Sequence, residues 1–138
     1  MAKTHKIIID GENSVMGRLA SYSAKQAILG KTIIILNCNK VIIIGNKNDI
    51  VKRYKHKIQI GGSSLKGPKI IRTPERILKQ AIRGMLSHKQ VRGINSLKRI
   101  ICYNKGPEEY KDVENVSIFK NEKYQKYITL KELVNRLK

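Results

Sequence analysis

Two hydrophobic rhythms alternate along this chain: short β-branched runs, and longer stretches whose apolar residues recur three or four positions apart. Residues 5–10 read as a short buried strand ending at Asp10-Gly11. Val15, Leu19, Tyr22, Ala27 and Ile28 then fall near helical spacing. They predict a helix over about 14–29, with Asn13 or Ser14 as its cap and Gly30 just past its end. Residues 32–37 and 41–45 are β-branched runs of the kind that fill central strands buried on both faces. A second helix is expected from Asn48 or Asp49, with Ile50, Val51, Tyr54 and Ile58 as its apolar stripe. The stretch 61–68, rich in Gly and Ser and closed by Gly67-Pro68, predicts a basic loop. Thr73-Pro74-Glu75 combines a capping hydroxyl, a first-turn proline and an acid, and so predicts a helix start. That helix carries Ile77, Leu78, Ala81, Ile82, Met85 and Leu86 on its apolar side. Residues 87–96 read as another basic loop, 99–103 as a strand, and 129–137 as a short helix. Strands alternating with helices imply an α/β fold. The connection 38–40 is too short for a parallel crossover, which needs about a dozen residues. Strands 32–37 and 41–45 therefore form a hairpin, or one of them lies outside the main sheet.

Charge changes this picture most. The 138 residues carry a formal net charge of +19. Residues 50–107 hold 15 Lys/Arg against a single acid, Glu75, whereas 108–138 are nearly balanced, with seven bases and six acids. Solvated surfaces normally mix both signs, so a middle segment almost without carboxylates points to a polyanionic partner, nucleic acid first. Arg76, Lys79 and Arg83 share one face of the predicted helix after Pro74. Lys89, Arg92, Lys98 and Arg99 extend them into a cationic ridge. Only 5% of residues are aromatic, which argues against bases stacked on a sheet. Phosphate and shape recognition of folded RNA fits better.

Other chemistry finds little support. The stretch Asn46-Lys47-Asn48-Asp49 after an apolar run resembles a guanine-specificity motif, but no phosphate loop with the required spacing precedes it. Asp10 and Glu12 fit turn capping, Glu108-Glu109 follow Gly106-Pro107, and neither pair has a partner base or metal ligand at useful spacing. Cys38 and Cys102 are expected to be buried, reduced thiols, and His5, His56 and His88 are scattered. No catalytic residue, cofactor, metal or small-molecule substrate is expected. Apolar runs are too short for a bilayer, and the first residues lack the pattern of a secretory leader, so a cytoplasmic protein is expected.

Several short motifs occur in order: Asp10-Gly11, Gly17-Arg18-Leu19-Ala20-Ser21, Ala24-Lys25, Gly30-Lys31, Gly45-Asn46, Gly67-Pro68, Arg72-x-Pro74 and Arg83-Gly84-Met85-Leu86-x-His88-Lys89. Together they resemble the universal ribosomal protein thirteen family of the large subunit, in its archaeal and eukaryotic branch, over about residues 7–107. Ser87 stands where that family often has proline, and the likeness fades beyond Pro107. The resemblance implies a structural constituent of the ribosome that binds large-subunit rRNA, supports assembly, touches neighbouring ribosomal proteins and has no enzymatic activity. It also implies a three-layer α/β/α fold around a small, mostly parallel or mixed four-stranded sheet, with basic loops and a short C-terminal extension. Residues 1–107 would form the rRNA-binding core, and 108–138 the extension, packed on the core or on neighbours. The candidate RNA contacts are Arg18, Lys47, Arg53, Lys57, Lys66, Lys69, Arg72, Arg76, Lys79, Arg83, His88, Lys89, Arg92, Lys98 and Arg99. The rival readings are a general nucleic-acid-compacting basic protein and a GTP-binding switch.

Overall fold

The fold is taken from a computed structural model in which residues 5–59, 73–105, 120 and 125–137 are described. Strand β1 (Lys6–Asp10) leads through helix α1 (Met16–Ile28) to β2 (Thr32–Leu36). β1 and β2 pair in parallel from Lys6↔Thr32 to Asp10↔Leu36. Strand β4 (Ile100–Cys102) joins the other edge of β2, also in parallel, giving the order β1-β2-β4. The β-branched run Ile33, Ile34 and Ile35 is thus central and fully buried, as its composition predicts. Helix α1 ends as its sequence dictates. The Gly30 amide donates to the Ala27 carbonyl and the Lys31 amide to that of Gln26, with Gly30 at φ +95°.

The second β-branched run leaves this sheet. Asn37 adopts a left-handed conformation (φ 57°), and a single 3₁₀ turn over Cys38–Lys40 redirects the chain. Strand β3 (Ile42–Ile44) then pairs antiparallel with β5 (Tyr127–Thr129), in register Ile43↔Ile128. The expected four-stranded sheet is therefore three parallel strands plus a two-stranded antiparallel ribbon, and no hairpin joins β2 to β3. The cause lies at the turn. The Cys38 amide bonds the Tyr103 carbonyl beyond β4 at 3.1 Å, which carries the chain toward β4 and prevents it from folding back along β2.

Helices α2 (Lys47–Gln59), α3 (Pro74–Gly84), α4 (Val91–Lys98) and α5 (Leu130–Leu137) complete the described elements. Two caps differ from expectation. Val15 caps α1 without a side-chain bond. Ser14 is instead buried, and its carbonyl accepts the Ile42 amide. At α2 the cap is Asn46, whose Oδ1 accepts the Asn48 amide at 3.0 Å, so neither Asn48 nor Asp49 fills that role. Thr73 and Pro74 do start α3, but the Thr73 hydroxyl makes no capping bond. Residues 91–96, expected as the end of a loop, belong to helix α4. Gly93 explains both the misreading and the outcome. A glycine inside eight residues weakens the helical signal, yet here a Cβ would lie 2.0 Å from the Ser87 carbonyl oxygen. Only a bare backbone lets α4 pack that tightly on the turn before it.

One apolar cluster unites Ile9, Ile33, Ile35 and Ile100 of the sheet with Leu19 of α1, Ile50 of α2, Leu78 and Ile82 of α3, and Leu133 of α5. The opposite face of the sheet carries a smaller cluster of Ile8, Ile34 and Leu36, with Tyr103 packed on it. Burying a Leu or Ile side chain contributes roughly 1.5–3 kcal/mol, so the larger cluster dominates stability. With Leu97 of α4 packed against it, it also fixes the relative positions of α2, α3 and α4.

Candidate nucleic-acid interface

The basic residues of α2 and α3 reach solvent because each of these helices gives its apolar stripe to the core and leaves the remaining faces to charge. On α2, Ile50 and Val51 are buried and Arg53 and Lys57 exposed. On α3, Ile77, Leu78 and Ile82 are buried, Arg76 and Arg83 exposed and Lys79 half-buried. Arg92 and Lys98 are exposed on α4, and Lys89 is exposed in the turn that leads into it. Arg18 projects into solvent from α1. Both α3 and α4 pack against α1, so these cations ride on one body. Lys66, Lys69, Arg72 and the expected loop over 61–68 lie outside the described residues.

Electrostatics separate these cations from the rest. Among the described residues, ion pairs join Lys40 to Glu12 at 3.6 Å, Lys47 to Glu132 at 3.3 Å and Arg136 to Glu132 at 3.1 Å. None of Arg53, Lys57, Arg76, Lys79, Arg83, Lys89, Arg92 or Lys98 takes part in one. Their charge is uncompensated within the described fold. Such a surface repels itself and attracts polyanions.

Two candidates carry structural duties that sequence alone did not reveal. Lys47 holds Glu132 of α5. One guanidinium nitrogen of Arg99 donates to the Ala27 carbonyl at 2.8 Å, tying the entry of β4 to the C-terminus of α1. A cation there also suits the helix dipole. No sequence signal announces a bond across 72 positions. His88 is half-buried, with its Nδ1 enclosed.

Residues weighed for other chemistry fall into structural roles. Asp10 Oδ1 accepts the Glu12 amide at 3.1 Å and the Asn37 side-chain amide at 3.0 Å, which links the ends of β1 and β2. In the guanine-like stretch, Asn46 caps α2, Lys47 is paired, and Asp49 sits in the first helical turn. Cys38 is buried and Cys102 half-buried. The Cys38 thiol donates to the Ile35 carbonyl at 3.6 Å, and its interaction with the neighbouring Cys102, together with burial, holds Cys38 far above its ordinary value. The same interaction, assisted by Lys79, lowers Cys102 against the opposing effect of its burial. Burial raises the Tyr54 phenol, opposed by Arg53. Among the described residues, no three His, Cys, Asp or Glu side chains gather as a metal site, and no helix is long and apolar enough to cross a membrane.

The family model described as Ribosomal protein L13 matches residues 4–109. The chain is 37% identical over 131 residues to the large ribosomal subunit protein uL13 of Archaeoglobus fulgidus, covering 91% of this chain and 83% of that protein. It is 39% identical over 129 residues to uL13 of Picrophilus torridus, covering 92% and 93%. It is 38% identical over 133 residues to uL13 of Methanocaldococcus jannaschii, covering 94% and 96%.

Proposed function

The chain belongs to the ribosomal protein L13 family, whose members are structural proteins and not enzymes, and from that premise we propose that it is a constituent of the large ribosomal subunit that clamps rRNA through α2, α3 and α4. The observation that carries this reading is the row of exposed cations on those helices with no carboxylate partner among the described residues. Arg53, Lys57, Arg76, Arg83, Lys89, Arg92 and Lys98 neutralise phosphates, and Arg18 adds a contact from α1. Lys66, Lys69 and Arg72 join them from the segment between α2 and α3. Lys79, His88 and Arg99, each half-buried, act at the edge of this surface, and Lys47 acts while paired with Glu132. The apolar core keeps the helices in register, so several rRNA segments meet one rigid surface and assembly is supported. Neighbouring ribosomal proteins are the other partners, and the working location is the large subunit in the cytoplasm.

Condensed counterions released from RNA drive such binding, with a log–log salt slope of about 0.7–0.9 per phosphate contacted. Affinity for large-subunit rRNA should therefore fall steeply with salt; a flat dependence refutes the clamp. Arg83→Glu should weaken binding by about tenfold at low salt and flatten the slope by about one, measured by filter binding across a salt series. Equal affinity for rRNA and duplex DNA in competition would favour the general polyanion binder.

A further inference from the structure

Between α2 and α3 lies a cavity of about 230 Å³, lined by Tyr54 and Lys57 of α2 and by Ile77, Gln80 and Ala81 of α3. Of its lining, the rRNA reading uses only Lys57 and gives the cavity itself no role. Its size is informative: it falls below the roughly 300–1,000 Å³ typical of sites for drug-sized ligands, so it suits a single flat ring system. Its chemistry is equally specific. Tyr54 supplies an aromatic ring, and Ile77 and Ala81 supply aliphatic wall. The Lys57 ammonium stands 5.1 Å from the Tyr54 ring centroid, a cation at the mouth. Gln80, exposed at the rim, offers an amide that both donates and accepts.

Charge around the slot narrows the occupant further. Lys57 lines it on α2 with Arg53 one turn earlier, and Arg76 and Arg83 lie within three residues of its α3 lining; the acids of the two helices are Glu75, in the first turn of α3, and Asp49, in the first turn of α2. A polyanionic backbone drawn to those cations would run past an opening shaped for a ring. Resting on the rRNA reading above, we infer that the Tyr54–Gln80 slot receives one unstacked base of large-subunit rRNA. The base slides against the Tyr54 ring and the aliphatic wall, Gln80 meets its hydrogen-bonding edge, and Lys57 stays with the adjoining phosphate. Stacking of this kind tolerates sequence and adds affinity without adding a phosphate contact. The low aromatic content of the chain speaks against a stacking platform, but it leaves room for one base held between helices.

Filter binding of the full chain to protein-free large-subunit rRNA across a salt series tests this. Tyr54→Leu removes the ring, Tyr54→Phe keeps it, and Ala81→Leu plugs the slot without removing any contact. The Tyr54→Leu and Ala81→Leu proteins should each lose about tenfold in affinity with the salt slope unchanged, and Tyr54→Phe should retain wild-type affinity. Wild-type affinity in both Tyr54→Leu and Ala81→Leu overturns the inference and leaves the slot to a protein side chain. A loss accompanied by a shallower slope overturns it as well, because the missing contact would then be a phosphate held by Lys57. The rRNA reading is judged separately in the same assay, by the wild-type slope and by Arg83→Glu.

Discussion

Gly93 shows how one residue governs the geometry of the basic surface. Its missing side chain lets α4 approach the Ser87 carbonyl, and that approach sets where Arg92 and Lys98 stand. Gly93→Ala should therefore destabilise the protein by about 1–3 kcal/mol or more, read as a lower urea midpoint, because backbone must move to admit the methyl group. Arg99 acts from the other end of α4 by holding the Ala27 carbonyl. The thiol pair gives a chemical handle. Because the interaction between the two thiols raises Cys38 and lowers Cys102, the first proton lost belongs to Cys102, which is also the more exposed of the two. Alkylation of the folded protein at rising pH should label Cys102 ahead of Cys38, as peptide mapping would show. Tyr54 sets an alkaline limit. Its phenol is raised above the ordinary 10 by burial, so its contribution to stability is complete below pH 10 and is lost as pH climbs through the raised value. Tyr54→Phe should lose less stability than wild type across that window in denaturant titrations.

At the level of elements, α5 depends on a cap that its sequence spells out. Thr129 Oγ1 accepts the Glu132 amide at 3.2 Å, in the Thr-x-x-Glu arrangement of a capping box. Thr129→Ala should cost about 1 kcal/mol, measurable as a lower midpoint of thermal unfolding. Elements whose signal is local were legible. β1, α1, α3 and α5 follow from apolar period, Pro74 and the glycine after α1, each an effect confined to a few neighbours. Elements decided by distant partners were not. The partner of β3 is a triplet, Tyr127-Ile128-Thr129, embedded in a charge-balanced stretch, and nothing local to 42–44 points there. Asn13 and Ser14 look like caps, but the buried Ser14 is taken up elsewhere, its carbonyl accepting the Ile42 amide. For the surface the same division applies. Excess positive charge over α2, α3 and α4 is a property of composition and reads directly. The Lys47–Glu132 pair and the Arg99–Ala27 bond join remote positions and become visible only in the fold.

The molecule as a whole carries more positive charge than its own carboxylates can offset. Among the described residues the ion pairs are exposed and belong to Glu12 and Glu132, so each contributes little. Self-repulsion among the unpaired cations should be relieved by screening ions. The isolated protein should accordingly melt at higher temperature as sodium chloride is raised, over the same range in which rRNA affinity falls. Scanning calorimetry beside filter binding would expose the two opposite trends, and a melting temperature that drops with salt would contradict the account. The β3–β5 ribbon has a consequence for the order of events in synthesis. Lys47 and its partner Glu132 are 85 positions apart, and Ile128, Leu130 and Leu133 belong to the same core as Ile9. At translation speeds of roughly 5–20 residues per second, β3 waits roughly 4–17 s for the strand that completes it. A nascent chain cannot close this fold until its final helix has left the exit tunnel, so its most cationic stretch is in the open before the framework that orders it is finished.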